Sequence, residues 1–130
     1  MEKYLYFRTQ ATLADDDDSA QSACWPLSAL VGMHPTSDTA LTLFFNPQIR
    51  NQSDAQDGNV VNNDSVVLTV GTNDHKDAMT ALVKRFNKIR GMNDVDESFI
   101  VVADDLTNNT KYCVSEVTAC GAITIAAALS

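Results

Sequence analysis

Apolar and polar residues alternate in short runs along most of the chain. In Lys3 to Thr9 the alternation puts Tyr4, Tyr6 and Arg8 on one face and Leu5 and Phe7 on the other, which predicts a strand. The next stretch, to about residue 23, holds no sustained apolar pattern and reads as a loop. A short strand is expected from Leu27 to Val31. Pro26 suits its start or a sheet edge, because proline cannot donate to a ladder. "HPTSDT" is turn material. Ala40 to Phe45 then places Leu41, Leu43 and Phe45 on one face, so these two strands are expected to form a hairpin. A polar Asn- and Asp-rich segment follows, long enough to suggest a function, an interface or disorder. Ser65 to Val70 is a β-branched strand.

From His75 the period changes. Met79, Leu82, Phe86 and Ile89 recur at helical spacing, with Ala78 and Val83 beside them. Thr72, Asn73 or Asp74 can cap the start, and Gly91 can close the end in the left-handed conformation. Lys84, Arg85, Lys88 and Arg90 fall in the last two turns, where cations favour the helix dipole. Phe99 to Ala103 is the next strand, "DLTNNT" a turn, and Lys111 to Val117 a strand that would complete a second hairpin. The segment "ACGAITIAAAL" either continues that strand past a bulge at Gly121 or forms a final strand. The expectation is one α+β domain over residues 1–130. A mostly antiparallel sheet of six to seven strands would carry one amphipathic helix. A right-handed crossover through the helix can make the two strands it joins parallel.

Charge narrows the partners. The net charge is −8, and five of the nine basic residues lie between Lys76 and Arg90. An acidic remainder of this kind argues against general nucleic-acid binding and against anionic membrane surfaces. An apolar share of 45% with 20% charged residues is a folding composition, not a disordered one. Cys24, Cys113 and Cys120 make neither an even disulfide framework nor a CxxC pair, so they read as small buried apolar residues. "MEKYLYFRTQ" lacks a charged n-region followed by an apolar stretch of signal-peptide length, so no secretory leader is expected, and no run reaches the ~20 apolar residues of a span. The expected location is the cytoplasm of the producing cell.

Little here resembles catalysis. His34 and His75 belong to no HExxH or related spacing, and there is no GxSxG elbow. "VGTNDHKDA" runs from a strand into a helix, but Asp74 and Asp77 already occupy the anion position. No enzyme, catalytic residue or cofactor is therefore expected. Acidic clusters are the remaining candidate chemistry. Calcium takes 6–8 oxygens. In an extended run, Asp15 and Asp17 lie on the same side, and Asp104 with Asp105 would have to complete the site from a second segment. The competing reading is solvated charge on an exposed loop. Trp25, Ile123, Ile125 and Leu129 are the candidate interface residues.

The runs "YLYFRTQATLADDDDSAQSACWPLSALVGMHP", "ALTLFF", "SVVLTV…HKDAMTALVKRFN" and "FIVVADD…YCVSEVTACGAITI" cover most of the chain. In layout they are similar to small proteins of tailed phages of marine bacteria, often cyanobacteria, some of them virion-associated. The resemblance implies a structural or accessory protein, capsid-associated or otherwise part of the virion. Such a protein would act through contacts with itself, as a homo-oligomer, and with other virion proteins. It assigns no catalytic or binding residue. A small binding module for a ligand, a divalent cation or a host protein is the alternative.

Overall fold

The computed structural model describes residues 2–48, 63–92 and 98–125. The alternation in the first strand sets the architecture. Strand β1 (Tyr4–Arg8) buries Leu5 and Phe7 on one side. β2 (Ser22–Pro26) pairs with it antiparallel, and β6 (Phe99–Asp104) pairs with it parallel. β7 (Lys111–Tyr112) completes a first sheet of order β2-β1-β6-β7. The second sheet is antiparallel throughout, with order β3-β4-β5-β8. Its strands are β3 (Leu30–Ser37), β4 (Ala40–Phe45), β5 (Asp64–Val70) and β8 (Val117–Thr124). Helix α1 (His75–Arg90) follows β5. The architecture is α+β, with one helix and two mostly antiparallel four-stranded sheets among the described residues.

Several sequence expectations change. There are two sheets, not one of six to seven strands. β5 and β6 flank the helix but lie in different sheets, so no crossover makes them parallel. Of the strand expected at Leu27 to Val31, Leu27–Ala29 form a turn of 3-10 helix, and Leu30 and Val31 open β3. Pro26 ends β2 on a sheet edge, where its missing N–H costs no ladder bond. "HPTS" extends β3 instead of turning. β7 covers only Lys111 and Tyr112 of the expected Lys111 to Val117. Gly91 sits in the right-handed region (φ −81°), not the left-handed one, and its N–H bonds back into the last turn. Asp74 occupies the cap position at the helix start without a side-chain cap bond. The β3–β4 hairpin and the β6–β7 pair form as expected.

The last strand resolves its own ambiguity. β8 is a separate strand, with an extra residue opposite β5 between Cys120 and Ile123. A Cβ on Gly121 would stand 3.0 Å from the Val67 carbonyl oxygen. Glycine at the bulge lets the two strands close.

One core joins the sheets and the helix. Ala78, Leu82, Phe86 and Ile89 bury one stripe of α1 into the same cluster as Leu5, Leu43 and Leu68. Phe7 from β1, Trp25 from β2 and Phe45 from β4 meet at the centre. The Trp25 and Phe45 rings stack at 4.6 Å, and Phe7 meets both edge-on at 5.7 and 5.8 Å. The indole N–H of Trp25 donates to Asp64 Oδ2 at 2.9 Å, and the Gln48 N–H donates to the same oxygen at 2.8 Å. A buried indole removes roughly 200 Å² from water, worth about 5 kcal/mol before chain entropy is counted. Among the described residues, no helix is long and apolar enough to cross a membrane.

Candidate functional site

The acidic segments do converge, but on an arginine. Parallel pairing sets Arg8 beside Asp104. The Arg8 side chain is almost fully buried. Its Nε donates to the Gln10 carbonyl at 3.0 Å and its Nη2 to the Thr12 carbonyl at 2.6 Å. Its Nη1 lies 3.4 Å from Asp16 Oδ2, and its Nε 3.9 Å from Asp104 Oδ1. The positive charge between loop and strand is thus a guanidinium that holds the loop by its carbonyls. Asp15 and Asp17 are exposed, as is every residue from 11 to 20. Among the described residues, no group of three or more His, Cys, Asp or Glu side chains is arranged to hold a metal ion.

Asp104 and Asp105 have separate tasks. Asp104 Oδ1 accepts the Leu106 N–H at 3.0 Å, which shapes the turn after β6. Asp105 accepts the Cys120 N–H with both oxygens, at 3.2 and 3.0 Å, and the Tyr112 hydroxyl. It therefore ties β8 of the second sheet to the β6–β7 end of the first. Burial raises the Tyr112 pKa, and its bond to Asp105 raises it further. Burial also pushes the Cys120 thiol up to about 12, and the Asp105 charge adds to the effect. At Cys113, burial pushes the thiol up to about 11 against the pull of Arg85. Both thiols stay protonated at neutral pH and are poor nucleophiles.

The histidines hold backbone. His34 lies in β3, not in a turn, and its ring stacks on Phe44 at 4.8 Å. Its Nδ1 lies 3.0 Å from the Pro35 carbonyl. His75 Nε2 lies 2.8 Å from the Ser37 carbonyl and ties the helix start to the end of β3.

The residues expected at an interface are mostly core. Trp25 is fully buried and Ile123 nearly so, because each points between the sheets. Ile125 packs partly buried against the core, and Leu129 lies outside the described residues. Leu13, Val31 and Val83 are exposed singly, whereas Tyr4 and Phe99 are exposed side by side on the outer face of the first sheet. Pro26, Tyr4 and Phe99 form one row across β2, β1 and β6, and Cys24, Tyr6 and Val101 form the next. Tyr4 is 44% exposed and Phe99 54%. The Tyr6 and Phe99 rings lie 5.2 Å apart. Neither row contains a charged side chain. The first-strand alternation already separated Tyr4 and Tyr6 from Leu5 and Phe7. It could not show that Phe99 arrives beside them.

No family model, curated protein or solved structure matches this chain.

The outer face of the second sheet is different in kind. Thr42, Val67, Ser65, Thr69 and Thr124 mix hydroxyls with aliphatic groups there. Thr36 and Thr42 hydroxyls bond at 2.8 Å. A shallow groove of about 450 Å³ runs along its β3 edge, lined by Val31, Gly32, Met33, His34, Phe44 and Asn63.

Proposed function

We propose that this protein is a non-enzymatic assembly protein that associates with copies of itself through the outer face of the β2-β1-β6-β7 sheet. The observation that carries the reading is the pair of charge-free rows, Pro26–Tyr4–Phe99 and Cys24–Tyr6–Val101. Interface centres are enriched in Tyr and Phe and depleted of charge. Copies that each carry −8 repel at long range. Two adjacent rows without charge are where they can meet without burying an unpaired ion. A sheet face also suits a two-fold contact, in which the same patch serves both partners. On the resemblance in layout to small phage proteins, we assign this assembly to a virion or its accessory complexes.

Light scattering over a range of concentrations tests the reading. The expected result is a closed oligomer for the native chain and a folded monomer for Phe99→Ser and Tyr6→Ser. A native monomer at every concentration overturns it, and so does an oligomer indifferent to both substitutions. The groove beside His34 and Phe44 favours a second reading, a small-ligand module, because ligand sites are concave with a few polar groups. A monomer whose His34 and Phe44 resonances respond to a ligand would support it.

A further inference from the structure

Among the described residues, the exposed positive charge of this acidic protein lies on α1 and β7. Lys3 and Arg8 are buried, so among the described residues it comes from α1 and from Lys111 alone. Between α1 and β6 lies a small cleft of about 70 Å³, lined by Arg85, Lys111, Cys113, Phe99, Ile100 and Val101. Arg85 Nε is shielded from solvent and has no hydrogen-bond partner. A buried donor left unpaired is costly, and native structures seldom keep one without a reason. Among the described residues, neither Arg85 nor Lys111 forms an ion pair with a carboxylate. The cleft also borders unused backbone. β7 pairs only with Ala103 and Asp104, and the Cys113 N–H bonds the Val102 carbonyl. Beyond that point, no described strand pairs with the β7 side of β6 over Phe99–Val101.

We infer that this cleft binds a small free oxyanion of the phosphate class. Arg85 presents a planar fork suited to two oxygens of one ion, and Lys111 adds a point charge from the other wall. An oxyanion would give Arg85 Nε the acceptor it lacks. The cleft is too small for a nucleotide, so the ligand is the ion itself. The cleft shares Phe99 and Val101 with the proposed association face, but Arg85 and Lys111, which carry this inference, lie outside its two rows, so either can fail alone.

Nuclear magnetic resonance with inorganic phosphate, at constant ionic strength in chloride, tests it on the full chain. The expected result is a saturable shift of the Arg85 Nε–H and of the Val101 and Cys113 amides, with a dissociation constant in the millimolar range or tighter. Arg85→Gln should weaken binding about tenfold or more, since it removes a charge-assisted pair. Lys111→Gln replaces an exposed side chain and should weaken it several-fold with the fold intact. If Arg85→Gln does not fold, Lys111→Gln decides alone, and unchanged affinity there overturns the site. The site is also overturned by no saturable shift up to about 20 mM, or by equal binding in the Arg85→Gln variant. A third contrary result is binding that emerges only in Asp94→Asn/Asp96→Asn/Glu97→Gln, which would mean that the chain's own acids fill the cleft.

Discussion

The same three strands carry two surfaces of opposite use. Facing inward, β1, β2 and β6 present Leu5, Phe7, Trp25, Ile100 and Val102 to the inter-sheet core. One residue along, they present Tyr4, Tyr6, Cys24, Pro26, Phe99 and Val101 outward. Both sets are apolar. The inner set is enclosed by a second sheet and a helix, whereas in the outer set Tyr4 and Phe99 stay exposed and the other four residues are half-buried. Stability and association are therefore separated by the two-residue period of a strand. Substitutions at adjacent positions should give unrelated phenotypes.

The largest effect belongs to the inner set. Trp25→Ala should cost about 3–5 kcal/mol in urea unfolding, because it empties the centre of the Phe7–Trp25–Phe45 stack. Trp25→Phe keeps part of the ring packing but removes one donor to buried Asp64, and should cost about 1–3 kcal/mol. If both variants unfold like the native chain, the stack is not the link between the sheets.

Alkaline unfolding comes next. The folded state holds the Cys113 and Cys120 protons more tightly than an unfolded thiol near 9.0 does, with pKa values of about 11 and about 12. Their stabilisation is complete below pH ~9 and is lost as pH rises through those values, by an amount on the order of a few kcal/mol. Replacing both cysteines with alanine should flatten the loss between pH 9 and 12, read by denaturant midpoints across that range. An unchanged pH profile would mean that other groups carry it. Tyr112→Phe removes the hydroxyl bond to Asp105 and should cost about 1 kcal/mol, since Cys120 N–H still occupies both oxygens. On the outer face, Phe99→Ser should change monomer stability by less than about 1 kcal/mol. A larger loss would place Phe99 in the core and remove the contrast between the two faces.

Some of this was readable in the chain. The alternation in β1, the β-branched run of β5 and the stripe Leu82, Phe86 and Ile89 on α1 each report a local period, and each formed the element it predicts. Sheet membership was not readable. Alternation shows which residues share a face, but not which strands lie beside it, and β1 finds β6 more than ninety residues away. The same long-range pairing brings Arg8 to Asp104 and Phe99 to Tyr4. For that reason the sequence could not show that Asp16 and Asp104 lie against Arg8, and Trp25 suggested an interface where it fills the core. Cys113 beside Arg85 is likewise a product of tertiary packing, visible in the pull of that charge on the thiol.

Cys24 offers the most direct measurement of the central claim. It sits half-buried on the outer face beside Tyr6, while Cys113 lies at the cleft by Arg85. Alkylation of each cysteine can be followed by mass spectrometry as protein concentration rises. Association through this face predicts that the Cys24 rate falls over the concentration range in which the solution mass increases. A Cys24 rate that stays constant while the mass increases would contradict it, as would a mass that never increases.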